Sequence, residues 1–356
     1  MRVLIAPDSF KGTVGAAAVA ERLAEGWRLA RPGDDIRCLP LADGGEGTLD
    51  VLPAARRMPV PAVDAIGRPR EAYWSLLPGG TAVVELAVAC GLPLLREPDP
   101  LGASTFGFGR LLRSAACHPG VTRIVAALGG SATTDGGSGA LVALGARLST
   151  EGGSAPPLGG GALRHVTGVD LSEIVTPPVD GVVCLADVMS PLLGPAGAAH
   201  RFGPQKGAGP GDVVVLEDGL MTWAAVLGGD PDAPGAGAAG GTAFGLVHGW
   251  GARLESGSRF VADLVGLQSA LCWADLVITG EGRLDEQSWT GKVVGNVVAS
   301  AECEVALVVG ERACELPAGI RLCASLVELA GAAEPAIADP GTWLRVAGRT
   351  VAEGVR

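Results

Sequence analysis

The ends of the chain alternate short apolar runs with amphipathic stretches, and the middle does not. Val3–Ala6 reads as a buried strand, and Val19, Leu23 and Trp27, spaced by four, mark a helix. Thr13 is a plausible N-cap, Arg31-Pro32-Gly33 ends the helix, and Ile36–Leu41 reads as a second strand. Strand, loop, helix, strand is the opening of a doubly wound α/β unit. From residue 59 to 101 the pattern becomes a meander, with strands at Val60–Ala65, Glu71–Leu77 and Thr81–Val88 between Gly-Arg-Pro and Pro-Gly-Gly turns. A helix at Ser104–Cys117 and a strand at Val121–Leu128 follow, then a glycine-lined turn and a helix with Leu141 and Leu144 on one face. Further on come a strand at Val182–Ala186, a helix at Val213–Leu227, a helix at Ser258–Cys272 and a strand at Leu276–Thr279. Strands at Val305–Val309 and Cys323–Leu329 and a helix at Thr342–Ala352 return to βα alternation. The expected organisation is therefore one discontinuous α/β domain, residues 1–70 plus 290–356, interrupted by a second α/β domain with a mixed sheet, residues 71–289.

Composition narrows the function classes. A chain of 356 residues has room for two domains, and 48% hydrophobic residues exclude a disordered chain. A net charge of −11 argues against a nucleic-acid partner and against an anionic membrane surface, though a local basic pocket can still hold an anionic substrate. No apolar run reaches transmembrane length, and MRVLIAPDSF meets Pro7 and Asp8 too early for a signal peptide, so a cytoplasmic protein is expected. The eight cysteines stand singly with no C-x-x-C and are expected as buried, reduced thiols. The four histidines lie far apart in sequence, which argues against a zinc site.

Chemistry concentrates in the loops after the strands, where doubly wound sheets bind ligands. Asp8, Ser9 and Lys11 follow the first strand. Asp43, Gly44, Gly45 and Glu46 follow the second. Gly129, Gly130, Ser131, Thr133, Thr134 and Asp135 form a loop that can either cradle an anion on bare backbone N–H groups or simply turn the chain, with Thr134 or Asp135 as helix cap. Asp187 ends another strand, and Lys206 lies in a Gly/Pro-rich loop, where an exposed structural lysine is the bland alternative. Glu281, Arg283 and Asp285 follow Leu276–Thr279, with Lys292 close behind. Two familiar strings fail on context. Gly235-x-Gly237-x-x-Gly240 follows no strand, so close packing or a mobile loop is expected there rather than a dinucleotide site, and Thr290-Gly291-Lys292 lacks the upstream glycine of a P-loop. Carboxylates, hydroxyls, lysines and bare backbone on strand-end loops are together the inventory of phosphoryl transfer.

The segments PDSFKG (7–12), ADGGEGT (42–48), GGSATTDGG (129–137), GPQKGA (203–208) and GEGRLDEQ (280–287) resemble the bacterial type I glycerate kinase family, in family order across nearly the whole chain. The resemblance implies a flavodoxin-like domain interrupted by a second α/β domain, and phosphorylation of D-glycerate by ATP with Mg²⁺, more often to 2-phosphoglycerate than to 3-phosphoglycerate. Thr134, Leu185, Ser190 and Val293 depart from the family pattern without removing a charged group. Lys11 and Ser9 are then expected to bind phosphate or the substrate carboxylate, with Asp8 beside them. Asp43 and Asp187 are the candidates for Mg²⁺ or the glycerate hydroxyls. Ser131, Thr133, Asp135 and the glycines around them, with Gly44, Gly45, Glu46, Lys206 and Lys292, are expected at phosphate or substrate. Glu281, Arg283 and Asp285 complete the site, and Asp43, Asp187 and Asp285 compete as base. Two alternatives stay open: a kinase for another small hydroxy acid, and a non-catalytic protein that binds a phosphorylated metabolite.

Overall fold

The computed structural model describes residues 1–52, 55–320 and 322–355, and the chain divides into two units. One comprises Met1–Asp43, Asp50–Pro53 and Ser256–Arg356, and the other Gly44–Leu49 and Ala54–Glu255. In chain order the strands are β1 (Arg2–Ile5), β2 (Asp35–Cys38), β3 (Arg56–Val63), β4 (Pro69–Leu76), β5 (Thr81–Glu85), β6 (Arg123–Ala127), β7 (Arg147–Thr150), β8 (Val166–Asp170), β9 (Val182–Leu185), β10 (Arg253–Glu255), β11 (Leu276–Thr279), β12 (Arg283–Leu284), β13 (Glu304–Val309), β14 (Glu311–Arg312) and β15 (Leu322–Ser325).

The first unit holds a five-stranded, all-parallel sheet in the order β15-β13-β11-β1-β2. Counted by occurrence within this unit, that is the flavodoxin-like order, and its direction reverses between β1 and β11. Val3 and Ile5 point to one face and Leu4 to the other, and all three are fully buried because helices cover both faces. The helices Ala16–Ala30 and Pro340–Gly354 lie against each other on the first face. Their backbones approach so closely that a Cβ on Gly26 would sit 2.0 Å from the Arg345 carbonyl oxygen, and one on Gly348 2.3 Å from that of Leu23. Leu267, Leu271, Val293 and Val297 cover the second face.

The second unit holds a mixed six-stranded sheet in the order β10-β9-β6-β5-β4-β3. The meander pairs antiparallel through β3, β4 and β5, and the sheet then continues parallel through β6, β9 and β10. Trp74, Phe108, Trp223 and Phe244 fill its core.

Several sequence expectations shift. The described crossings between units lie at 43/44, 49/50 and 255/256. Strand pairing accompanies them: β3 forms its full register with β4, and β11 pairs with β1. The strand expected to run to Val88 stops at Glu85, where the helix Leu86–Cys90 begins. The strand expected at Cys323–Leu329 stops at Ser325, whose side chain accepts from the Glu328 N–H and caps the helix Leu326–Ala330. The helix expected at Ser258–Cys272 is two helices, Gly257–Val265 and Leu267–Trp273, broken at Gly266 with φ of 75°. All eight cysteines are free, but only Cys90 and Cys184 are buried, and Cys38, Cys117 and Cys272 are exposed. No helix among the described residues is long and apolar enough to cross a membrane.

Candidate active site

In the first unit, the loops after β1 and β11 meet at the carboxyl edge of the sheet, where its order reverses. This is the place where such sheets hold ligands. Glycines let the strand ends close in. A Cβ on Gly280 would strike the Val308 carbonyl at 1.6 Å, and one on Gly310 would sit 2.3 Å from the Gly282 carbonyl oxygen. The sequence GEG at 280–282 is thus a packing requirement as well as a loop. Beyond it, the short parallel ladder of β12 and β14 sets Arg283 beside Glu311, Nη1 to Oε2 at 3.8 Å.

Lys11 centres the polar part of this site. Its Nζ lies 2.7 Å from Asp43 Oδ2 while the side chain stays more than half exposed. Burial works against its charge, but Asp43, Asp8 and Glu281 outweigh it and hold its pKa above the usual lysine value. Asp8 is 4% exposed, and its Oδ1 accepts from the Ser9 N–H at 2.6 Å. Burial, then the negative charge of Asp43, raises its pKa well above the ordinary carboxylate range, against the pull of Lys11 and the Ser9 N–H. Glu281 is 8% exposed, and its Oε1 has no hydrogen-bond partner. Burial raises its pKa too, against the Ser288 hydroxyl and Lys292. Three acids therefore crowd one lysine. Asp285 lines the same cavity, but its Oδ1 accepts from the Gln287 N–H at 2.9 Å and caps a short 3-10 helix, Glu286–Trp289. Ser9, Arg283 and Lys292 also line it.

Asp8 gives a pH prediction. An unfolded aspartate ionises near pH ~4, whereas folded Asp8 is pushed up to about 8. Between these values the unfolded chain has released a proton that the folded chain keeps, so stability falls as pH rises through that window. Asp8→Asn is expected to flatten the fall, read from urea melts of both proteins at pH 5 and pH 8. An unchanged difference between the two pH values in the variant would mean that Asp8 ionises normally.

In the second unit, the side chains of the loop after β6 bond within the unit. Ser131, Thr133 and Asp135 are buried and turned inward. Ser131 Oγ lies 2.9 Å from Thr133 Oγ1 and accepts from the Thr133 N–H at 3.0 Å. Asp135 is wholly buried and accepts from Thr105 N–H and Oγ1, both at 2.8 Å, and from the Gly137 and Gly139 N–H groups, both at 3.2 Å. Asp135 therefore bonds backbone N–H groups at the start of the helix Ser138–Leu144, whose N-cap is Gly137, because short polar side chains find the nearest backbone donors first. Lys206 is not an exposed loop lysine: it is 3% exposed, its Nζ donates to the Thr133 carbonyl at 2.5 Å, and burial lowers its pKa to about 8 against the charge of Asp135. Gly235–Gly240 is close packing, as expected, since a Cβ on Gly240 would sit 2.0 Å from the Thr133 oxygen.

The segment 44–49 packs on this same loop. A Cβ on Gly129 would lie 2.5 Å from Gly45 Cα, and the Gly44 carbonyl accepts from the Gly129 N–H at 3.5 Å. Glu46 and Gly130 form its exposed edge. Glu85, absent from the sequence reading, holds the segment from below: its carboxylate accepts from the Gly47 and Leu49 N–H groups, both at 3.0 Å. An acid at the end of the apolar run TAVVE is the signal that could have found it. The structure thus gathers Asp8, Ser9, Lys11, Asp43, Glu281, Arg283, Asp285 and Lys292 in the first unit. Gly44, Gly45, Glu46, Gly129, Gly130, Ser131, Thr133, Asp135, Asp187 and Lys206 belong to the second. Asp187 follows β9 at its carboxyl end, half-buried.

A flavodoxin-like sheet with lysine, arginine and buried carboxylates at its switch point defines an α/β enzyme built to handle a small anionic substrate. The sequence model of the glycerate kinase family matches residues 3–356. The glycerate 2-kinase of Escherichia coli K12 is 38% identical over 305 residues, covering 82% of this chain and 80% of that protein. The glycerate kinase of Bacillus subtilis 168 is 38% identical over 322 residues, covering 87% and 84%. A crystal structure of a protein assigned as glycerate kinase 2 from Salmonella typhimurium LT2 superposes with a TM-score of 0.79 at 34% identity, covering 99% of this chain and 98% of that one. The chain belongs to the glycerate kinase family, and it is a kinase.

Proposed function

We propose that this kinase transfers the γ-phosphoryl group of ATP to a hydroxyl of D-glycerate, with 2-phosphoglycerate as product. The observation that carries the proposal is the lysine-centred acid cluster at the switch point, in a chain whose relatives bear glycerate kinase names. The name of the Escherichia coli relative favours the 2-hydroxyl. In the reaction the hydroxyl oxygen bonds to the γ-phosphorus, the bond from that phosphorus to the β,γ-bridging oxygen breaks, and ADP leaves. The hydroxyl proton passes to a carboxylate.

Such chemistry asks the protein mainly for position and for positive charge. Lys11, with Ser9, is proposed to hold the transferring phosphoryl group or the glycerate carboxylate, and Arg283 and Lys292 add charge along the same wall. Asp8 is the least available proton acceptor of the cluster, since its raised pKa keeps it protonated near neutral pH. One oxygen of Asp285 is spent on a cap, so Asp43 is the proposed acceptor of the proton within this unit. Mg²⁺ fits this donor set. Asp43 and Glu281 both repel the charge of Asp8, and Glu281 Oε1 is an unpartnered buried oxygen. Among the described residues no three His, Cys, Asp or Glu side chains form a ready cage, which agrees with an ion that takes one or two carboxylates and shares phosphate oxygens. Glu281, with its unpartnered oxygen, is the proposed ligand from this cluster. When bound, the ion supplies neutralisation of phosphate charge.

The test is ADP release from ATP and Mg²⁺ with D-glycerate, followed by phosphorus NMR of the product. Turnover giving a 2-phosphate signal is expected. A 3-phosphate signal would change the product, turnover only with another hydroxy acid would change the substrate, and no turnover with any would end the proposal.

A further inference from the structure

The cavity at the switch point, about 360 Å³, is larger and less polar than glycerate requires. One side is charged: Lys11, Glu281, Arg283, Asp285 and Lys292. Another part of the lining is apolar: Leu326, Val327, Ala333, Ala336, Ile337 and Pro340. Both belong to the first unit. The apolar side is the part of the chain where the expected strand turns into the helices Leu326–Ala330 and Ala333–Ala338. Ile337 lines this space with 62% of its surface exposed, so a ligand there can reach it.

Glycerate has three carbons, each bonded to oxygen, and no apolar surface to offer. A triphosphate tail cannot rest on leucine, isoleucine and alanine either, because a desolvated anion there has no partner. A nucleotide joins two unlike ends, a flat heterocycle with apolar faces and a polyanionic tail, and this cavity has two matching ends.

We propose that the apolar wall of Leu326, Val327, Ala333, Ala336, Ile337 and Pro340 is the subsite for the heterocyclic base of the nucleotide, with its phosphates directed toward Lys11, Arg283 and Lys292. The assignment rests on the ATP-dependent reaction proposed above. It adds which wall takes the base, and so which residues set affinity for the nucleotide as opposed to the acceptor. Apolar burial of a ring with a few charged groups at one end is the usual composition of a small-molecule site.

The test uses two variants of the full chain. Ile337→Asp changes an exposed side chain and leaves the core alone. Ala336→Trp fills the cavity from a buried position. Calorimetric titration with ADP is expected to show binding weakened about five-fold in Ile337→Asp and about ten-fold or more in Ala336→Trp. Titration with tripolyphosphate, which has no base, is expected to change less than about two-fold. In steady-state assays KM for ATP should rise in parallel while KM for D-glycerate stays within about two-fold. If Ala336→Trp fails to fold, Ile337→Asp decides. Unchanged ADP affinity in Ile337→Asp, a rise in KM for glycerate instead, or equal losses for ADP and tripolyphosphate would each overturn the assignment. An enzyme that binds ADP through this wall yet turns over no glycerate would keep the subsite and lose only the acceptor.

Discussion

Lys11→Met is expected to lower kcat/KM by about a thousand-fold with the melting temperature moved by no more than a few degrees, the scale seen when one preorganised donor to a developing charge is removed. The split between the two readouts follows from exposure. The Lys11 side chain is more than half exposed, so its pair with Asp43 resembles a surface ion pair and contributes little to folding. Its value is local. The charge of Lys11 is felt by both Asp8 and Glu281, and its Nζ bonds Asp43. Without it, Asp8 and Asp43 face an anionic substrate with their nearest positive charge removed. Lys11→Arg keeps the charge but replaces a compact ammonium with a broad planar group, and should recover only part of the rate. Asp43→Asn in the same assay, alone and combined with Lys11→Met, should show losses that do not add, because the two groups act as one. Rates within about three-fold of the parent for Lys11→Met would remove Lys11 from the reaction.

The first unit was legible because it is governed by burial. Val3–Ile5 and Leu276–Thr279 are central parallel strands covered on both faces, and such strands show as unbroken apolar runs. The loops after them then had to carry the site, and Lys11 and Glu281 do meet there. Where the reading failed, a single polar or glycine residue overrode an apolar pattern. Ser325 ends a strand by capping a helix, and Gly266 breaks a helix that the Leu264, Leu267 and Leu271 stripe suggested was continuous. The crossings between units follow strand pairing. Strand partners lie far apart in sequence, as β1 and β11 do, and no local pattern names a partner.

The hydroxyl-rich loop teaches a different lesson. Glycine, serine, threonine and aspartate after a strand suit both an anion cradle and a self-bonded turn, and spacing does not separate the two. The difference lies in packing from elsewhere in the chain. Gly240 closes over Thr133, Trp223 donates to the Gly136 carbonyl at 2.9 Å, and Lys206 reaches the Thr133 carbonyl from a loop some seventy residues on. The loop is thereby a rigid part of the second unit, with its exposed edge at Gly130 and Glu46.

Asp135 makes that distinction measurable. Asp135→Ala is expected to destabilise the second unit by about 4 kcal/mol, because it strands four buried donors at once: the Thr105 N–H and hydroxyl and the Gly137 and Gly139 N–H groups. Each stranded donor would cost roughly 1–3 kcal/mol alone, and one water entering the vacated space would recover part of the sum. Burial already disfavours the charge on Asp135, so the carboxylate is retained at a cost, and what retains it is the number of donors it satisfies. Asp135→Asn should lie between parent and alanine variant, since an amide keeps one acceptor oxygen and turns two N–H groups toward donors. For a unit of this size the alanine variant should melt about 10 °C below the parent. Below its melting transition, KM for ATP and for D-glycerate should stay near the parent values, since Asp135 reaches no open cavity. A variant that melts with the parent but loses affinity for ATP or glycerate would show the opposite: a carboxylate that serves the ligand and leaves its four neighbours to find other partners.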